Sequence, residues 1–211
     1  MSGNGGTAAG VLANLPLFRR TPRAQLAELA GHARLEHARR GELIARSGER
    51  PRGLMAVGYG LVKLSLGGTR NRVLRLVGPG ETFGEAVLFL DEPLPVDVTA
   101  LADTMLVVLP AAPLLALIER NPAFCKALLA GLCQRLHALV ADFEAATQHG
   151  ARERLAAYLD SLAPPGEAHA QLPAAKTVVA ARLGITKETL SRLLRQLADE
   201  GLISVQGRAV T

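Results

Sequence analysis

The spacing of apolar residues along this 211-residue chain changes twice and divides it into three parts. Residues 11–33 carry a helical pattern with a start signal at Thr21-Pro22. Residues 34–110 consist of short apolar runs separated by glycines, which is typical of an antiparallel sandwich or barrel. From residue 121 onward the spacing returns to threes and fours, so helices are predicted for most of the remaining chain.

The middle part contains evenly spaced apolar runs, each short enough to be one strand. Glycines fill the gaps between them and supply the turns. We predict strands at Glu42–Arg46, Leu54–Val57, Leu61–Leu66, Val73–Val77, Val96–Ala100 and Met105–Leu109.

A long helix is predicted to begin at Asn121-Pro122, because Asn can cap a helix and Pro suits its first turn. It extends for about 28 residues, or roughly 42 Å. A narrow apolar stripe along it either packs against its own domain or forms a two-stranded seam with a second copy, and the length favours the dimer. The predicted interface residues are Phe124, Leu128, Leu132, Leu136, Leu139, Val140 and Phe143.

Residues 174–200 are typical of two short helices joined by a tight turn. Thr177–Leu183 forms the first helix, Gly184-Ile185-Thr186 the turn, and Lys187–Asp199 the second helix. Four leucines, at positions 190, 193, 194 and 197, lie on the inner face of the second helix. The residues from Gly201 to Thr211 are predicted to form a pair of strands, as in a wing.

The outer face of the second helix carries residues that can read DNA bases in the major groove. Arg192 matches guanine O6 and N7, Glu188 can accept from the amine of cytosine or adenine, and Ser191 can contact a base edge. The alternative is a solvated charged face on an ordinary helix pair. The predicted phosphate contacts are Lys176, Thr177, Thr186, Lys187 and Arg195.

Net charge and the absence of catalytic motifs indicate which class of partner and which function to expect. A net charge of +5 favours an anionic partner, for which nucleic acid is the first candidate and an anionic membrane surface the weaker one. We find no HExxH, P-loop or GxSxG motif, so an enzyme is not expected.

The cysteine count and the N-terminus predict a cytoplasmic protein. Two cysteines, Cys125 and Cys133, are too few for a disulfide framework, and we interpret both as buried small residues. Residues 1–14 are rich in Gly and Ala and are predicted to be a disordered tail rather than a signal peptide. No uninterrupted apolar stretch reaches the length of a membrane span, so no membrane partner is expected.

Motifs in both halves of the chain resemble those of the Crp/Fnr family of transcription regulators. Residues 186–192 (TKETLSR) and 199–203 (DEGLI) resemble that family's winged helix-turn-helix. Upstream, residues 41–44 (GELI) and 80–85 (GETFGE) resemble the marks of its cyclic-nucleotide-type β-roll.

The resemblance implies an α+β fold in four parts. These are a tail (1–14), a sensor β-roll, or jelly roll (15–120), a dimerisation helix (121–148), and a C-terminal winged helix-turn-helix DNA-binding domain (149–211). It further implies a homodimer that binds palindromic double-stranded DNA and contacts RNA polymerase. The trio Glu188, Ser191 and Arg192 resembles the Fnr-type reader, whose expected half-site is TTGAT.

The same resemblance places a sensor pocket at Gly84 and Glu85, with an unknown effector. Cyclic AMP is not expected, because no arginine occurs in residues 93–97 and Asp97 lies there instead. An iron–sulfur cluster is not expected, because no cysteine precedes Cys125.

Residues 83–93 and 135–137 most resemble the dissimilatory nitrate respiration regulators, which sense nitric oxide through haem. Haem is therefore a candidate cofactor, but no metal ligand can be chosen among the histidines at 32, 37, 137, 149 and 169. A cyclic nucleotide, another small ligand, or no ligand at all are the alternatives.

Overall fold

A computed structural model describes residues 3–50, 52–67, 72–90, 92–148, 150–164 and 169–211. The chain divides into two compact units. The first comprises residues 1–70 and 74–135, and the second comprises residues 71–73 and 136–211.

The first unit contains two four-stranded sheets. One has the order β1-β8-β3-β6 and the other the order β2-β7-β4-β5. The strands are β1 (Arg34–Ala38), β2 (Leu43–Ala45), β3 (Leu54–Tyr59), β4 (Val62–Ser65), β5 (Val73–Val77), β6 (Thr82–Phe83), β7 (Asp97–Ala100) and β8 (Thr104–Leu109). All six predicted strands are therefore present, and β1 and β6 are additional.

Side chains from both sheets form one apolar core. Val57 and Leu106 of the first sheet pack in the same buried cluster as Val62 and Val98 of the second. Every residue of β8 is buried, because one face of this central strand packs against the helices and the other packs against the second sheet. A sheet buried in this way needs no alternation of polar and apolar residues, which explains the continuous apolar run Met105–Leu109.

Helices cover the first sheet. They are α1 (Gly3–Asn14), α2 (Arg23–His32), α3 (Ala111–Arg120) and the first part of α4 (Pro122–Gln148), with a 3₁₀ turn at Pro16–Phe18. The expectation of a disordered tail over residues 1–14 is wrong for the described part of that segment. Ala8 and Leu12 of α1 are buried in the core that the helices share with Leu54 and Val107 of the sheet, so burial of apolar surface stabilises a helix of modest propensity.

The predicted apolar stripe of α4 is divided between two environments. Phe124 and Leu128 are only 1% and 2% exposed and belong to the core of their own unit, where the Phe124 ring stacks on Phe18 at 5.2 Å between centroids. Their assignment to a dimer interface is wrong, because a second copy cannot reach them. Leu132 packs against the same core, whereas Leu136, Leu139, Val140 and Phe143 are exposed.

The two cysteines of α4 differ in exposure. Cys125 is half-buried, and Cys133 is exposed. The interpretation of both as buried small residues is therefore wrong for Cys133, which points away from the face that carries Phe124 and Leu128.

One segment of α4 is long and apolar enough to cross a membrane when judged by length and composition. It is Pro122–Ala141, with a mean hydropathy of 1.3. The expectation that no apolar stretch reaches the length of a membrane span is therefore wrong for this segment. Part of its apolar character belongs to residues such as Phe124 and Leu128, which are buried in the first unit.

The second unit is a helix-turn-helix with a small sheet. Its core joins Leu155 and Leu159 with Val179, Leu190 and Val210. The three-stranded sheet has the order β10-β11-β9 and is antiparallel. Its elements after α4 are α5 (Ala151–Leu162), β9 (Ala170–Gln171), α6 (Lys176–Leu183), α7 (Lys187–Asp199), β10 (Val205–Gln206) and β11 (Ala209–Val210).

Candidate nucleic-acid interface and effector pocket

The turn between α6 and α7 is built by a glycine and a threonine. Gly184 ends α6 in the left-handed region at φ +67°, and its N–H donates to the carbonyl of Ala180. Thr186 caps α7, since its hydroxyl accepts from the N–H of Thr189 at 3.2 Å. Ile185 packs partly buried against the core between the two helices. The predicted helix–turn–helix is therefore present in the structure.

The second helix, α7, separates apolar from polar residues around its circumference. Leu190, Leu193, Leu194 and Leu197 are buried. Glu188, Ser191, Arg192 and Arg195 are exposed at steps of three, one and three. On a helix with 3.6 residues per turn these four residues share the outer face, so the structure brings the predicted base readers together.

Glu188 lies in the first turn of α7, where unpaired backbone N–H groups favour an anion. Hydrogen bonds from its own backbone N–H and then from the Thr186 hydroxyl hold the pKa of this carboxyl below its ordinary value, and Lys187 adds to the effect. The side chain is therefore ionised at neutral pH and is a hydrogen-bond acceptor only.

The predicted phosphate contacts come from two helices and the turn. Lys187 and Arg195 are exposed on α7, and Thr186 is exposed at its N-cap. Thr177 is exposed and Lys176 half-buried in the first turn of α6. All five residues lie on the helix-turn-helix, and their contact with phosphates stays a prediction.

An ion pair that the sequence did not indicate joins the beginning of α5 to the end of α7. Arg152 binds both carboxylate oxygens of Glu200, with 2.7 Å between Nη1 and Oε1. The hydrogen bond to Arg152 lowers the pKa of Glu200, and the same bond raises the pKa of Arg152. The partners are 48 positions apart in the sequence, which explains why no local pattern predicted the pair.

In the first unit, the predicted sensor residue Glu85 is buried, and its carboxylate makes one ion pair and accepts one hydrogen bond. Its side chain is 8% exposed, and Oε1 lies 3.0 Å from Nη2 of Arg135 on α4. The hydroxyl of Thr82 donates to the same oxygen at 2.6 Å. A buried carboxylate is stable here because an opposite charge and a hydrogen bond compensate its lost hydration.

Arg135 also lines a cavity of about 410 Å³ that lies between the roll and α4 within this unit. Arg75 lines the same cavity, and its guanidinium donates to Glu81 at 2.8 Å and to the carbonyl of Thr82 at 3.1 Å. The α4 wall includes three small residues, Ala127, Ala130 and Gly131, beside the larger Leu128 and Gln134. The cavity is therefore large enough for a small molecule and is lined by two arginines, each of which is paired with a glutamate.

Gly84 and Asp97 have structural explanations. Gly84 adopts φ +84°, and a Cβ there would approach the carbonyl of Gly53 to 3.0 Å, so the position requires glycine. Asp97 accepts the backbone N–H of Ser47 at 2.9 Å. Its carboxylate thus fixes the loop at Ser47.

Sequence reasoning missed Arg75, Thr82 and Arg135 as neighbours of the sensor site. The available signal was Arg135 itself, one of two formal charges, with Lys126, in the largely apolar 122–141 segment; a charge in such a segment indicates a paired partner.

Comparison with family models divides the chain as the structure does. Residues 35–121 match the cyclic nucleotide-binding domain, and residues 153–211 match the Crp-like helix-turn-helix domain.

Individual proteins similar to this chain are consistent with the two family models. The chain is 34% identical to the cyclic AMP receptor protein of Thermus thermophilus over 172 residues, which cover 77% of this chain and 76% of the relative. It is 30% identical to the DNR structure from Pseudomonas aeruginosa, with a TM-score of 0.52 and coverage of 95% and 91%. FixK2 from Bradyrhizobium japonicum shares the fold at 24% identity, with a TM-score of 0.75 and coverage of 85% and 91%.

The two family models account for both units in their order along the chain, and a relative above 30% identity covers three quarters of it. This protein belongs to the Crp/Fnr family of transcription regulators.

Proposed function

We propose that this protein is a homodimeric regulator that places one α7 helix of each copy in successive major grooves of a palindromic DNA site. The observation that carries the proposal is the outer face of α7, where Glu188, Ser191 and Arg192 are exposed while the four leucines of the inner face are buried. A helix anchored in this way is held rigidly enough to read bases.

Each reader has a distinct chemical role in the proposal. Arg192 donates two hydrogen bonds to guanine, and ionised Glu188 accepts from an exocyclic amine. Ser191 contacts a neighbouring base edge, while the five phosphate residues fix the register of the helix on the duplex. The expected half-site is TTGAT, as in the Fnr-type readers that this trio resembles.

The regulator acts in the cytoplasm, where it binds duplex DNA and then contacts RNA polymerase. Its function is regulatory rather than catalytic. Palindromic binding requires two copies, and the exposed apolar residues in the second half of α4, among them Leu136 and Phe143, supply a surface on which they can associate.

The direct test measures binding to a TTGAT palindrome and to the same duplex with each guanine replaced. Arg192→Ala is expected to abolish the preference for guanine, at a cost of about 1–3 kcal/mol, or about 5- to 150-fold in affinity. Fluorescence anisotropy at fixed salt gives both affinities, since the salt concentration alters every phosphate contact.

Gln196→Ala is the matched control, because Gln196 is exposed on the same helix but nearer its C-terminal end. That variant should keep wild-type affinity and preference. If the Arg192 variant still preferred guanine, the assignment of this residue as a base reader would be wrong.

We also propose that a small-molecule effector binds the cavity edged by Arg75 and Arg135. Binding there would compete for the guanidinium groups that now hold Glu81 and Glu85, and so would change how α4 packs on the roll. The name of the Thermus relative suggests cyclic AMP. The described residues of this chain that follow Glu85, 86–90 and 92–97, include no arginine for its phosphate.

Haem fits these cavities poorly. An axial ligand is needed, and no histidine, cysteine or methionine lines the cavity at Arg75 and Arg135 or the neighbouring one of about 330 Å³ beside Val11 and Val57. His149 lies outside the described residues. We therefore favour a small polar effector over haem and nitric oxide.

Titration with haem and, separately, with cyclic AMP tests this choice. Haem is expected to give the spectrum of the free compound, and cyclic AMP is expected to leave the melting temperature unchanged at millimolar concentration. A saturable Soret band at one haem per chain would contradict the proposal for haem, and a dose-dependent rise in melting temperature would contradict it for cyclic AMP.

A further inference from the structure

The outer side of α4 carries a row of exposed side chains that neither the core nor the DNA-reading surface uses. We call it the α4 row; it consists of Leu129, Cys133, Leu136, Val140 and Phe143. The four apolar members other than Cys133 are 54%, 61%, 49% and 68% exposed in that order, which is unusual for side chains of this size.

The spacing within the α4 row is regular. Its members follow one another at steps of four, three, four and three, which is the a/d pattern of a two-stranded coiled coil. On a straight helix these residues fall within about 80° of one another. Cys133 therefore lies inside the row, between Leu129 and Leu136, at a position that faces the partner helix.

A second copy of this chain is the occupant that the α4 row fits. A strict heptad row on one helix is complementary to an identical row, as a two-fold axis requires. Both copies carry their DNA-reading residues after the C-terminal end of α4, so parallel pairing sends both in the same direction toward one duplex. This step rests on the proposed dimeric function.

In a parallel pair each a residue meets the same residue of the other copy. Helix axes pack about 8–10 Å apart and the Cα atoms lie about 2.3 Å from each axis. Facing Cα atoms in the row are thus about 3.4–5.4 Å apart, which overlaps the range of about 4.4–6.8 Å that a disulfide bridges. Cys133 is the row's one residue with redox chemistry.

We propose that Cys133 of each copy faces Cys133 of the other across the two-fold axis, and that the two thiols form a disulfide that locks the dimer. The oxidant is a low-molecular-weight disulfide such as oxidised glutathione. One Cys133 thiolate attacks it, forms a mixed disulfide and releases one glutathione thiol. The second Cys133 thiolate then attacks Sγ of the first Cys133, so that the sulfur–sulfur bond to glutathione breaks and the other glutathione thiol is released. Two protein thiols are oxidised, and one glutathione disulfide is reduced to two thiols.

The test is cross-linking of the full-length protein by oxidised glutathione, followed by non-reducing gel electrophoresis. Wild type is expected to give a band at twice the 22.2 kDa chain mass, which dithiothreitol reverses. Cys133→Ser should lose the band, and Cys125→Ser should keep it, because Cys125 is half-buried whereas Cys133 is exposed.

Two variants in the Cys133→Ser background test the row rather than the one thiol. Leu136→Cys places a thiol at the next row position and should cross-link. Ala138→Cys places an exposed thiol about 140° around the same helix from position 133 and should not. Circular dichroism verifies that each variant is folded.

Sedimentation in reducing buffer tests the dimer separately from the Cys133 disulfide. A dimer that cross-links through Leu136→Cys but not through wild-type Cys133 would overturn the thiol pair and leave the proposed function standing. A band that survives Cys133→Ser would also overturn it. A chain that sediments as a monomer and floats with lipid vesicles would assign the α4 row to a membrane, and would overturn the dimer as well.

Discussion

At the residue scale, Gly184 shows how a single backbone conformation shapes the DNA-reading surface. It holds φ +67° at the end of α6, and a Cβ built there meets no atom within 4 Å. Any penalty for a side chain therefore arises from the backbone and not from a clash.

Gly184→Ala is expected to lower the free energy of unfolding of the second unit by about 1–2 kcal/mol, because L residues disfavour the left-handed region. Urea denaturation followed by far-UV circular dichroism measures it. Gly31→Ala is the control, since Gly31 lies in α2 with no positive φ and open space at its Cβ, and it should be neutral or slightly stabilising. Equal effects of the two substitutions would refute the role of φ at Gly184.

The residues of α7 were accessible to sequence reasoning because their signals are local. A threonine cap, a leucine face and an exposed polar face all lie within fourteen residues of the chain. The surroundings of Glu85 were not accessible in this way. Its partner Arg135 is fifty positions away on α4, and only the tertiary fold brings the two side chains together.

At the scale of elements, the ion pair between Arg152 and Glu200 ties the first turn of α5 to the residue that ends α7. Pairing lowers the pKa of Glu200 below its ordinary value of 4.5. The pair therefore contributes stability above that value, and the contribution is lost as the pH falls through the lower pKa of the folded state.

Glu200→Gln should accordingly lower the melting temperature at pH 6 and have a smaller effect as the pH approaches 3. Melting curves of wild type and variant across this range measure the difference, and the carboxylates common to both proteins cancel. If the difference in melting temperature between wild type and Glu200→Gln stayed constant from pH 6 to pH 3, ionisation of Glu200 would not be its source.

Element boundaries were predictable where a helix is amphipathic and capped. The predicted bounds of α7 agree with the structure, whereas β1, β6 and β9 were missed. β6 and β9 have two residues each, and β1 carries Arg34, Glu36 and His37. Such strands form because they pair with the backbone of a neighbouring strand. For β1 that neighbour is β8.

The largest error concerned the faces of α4. Steps of three and four describe both the stripe through Phe124 and Leu128 and the α4 row, so spacing alone could not tell which face meets the roll. Only the packed first unit, with Phe124 stacked on Phe18, separates the two.

At the scale of the whole molecule, DNA binding should depend on association through α4. Leu136→Glu is expected to convert the dimer to a monomer, because it places two like charges together in a desolvated contact. Affinity for the palindrome should then fall at least about tenfold, since the second half-site is no longer bound by the same molecule.

Sedimentation and anisotropy measure the two effects, and Ala138→Glu is the matched control. Ala138 is exposed on the same helix but away from the α4 row, so its substitution should change neither quantity. A Leu136→Glu protein that remained dimeric would place the contact elsewhere on the chain.

The two faces of α4 also differ in how they can change by inheritance. On the roll side, a mutation at Leu128 can be compensated by a second mutation in another element of the same core, such as one at Leu54. In the proposed dimer, one altered codon changes the α4 row in both copies at once, so every new side chain must first be compatible with itself. Descendants of this chain are therefore expected to diversify by paired changes on the roll side, and by single, self-complementary changes along the α4 row.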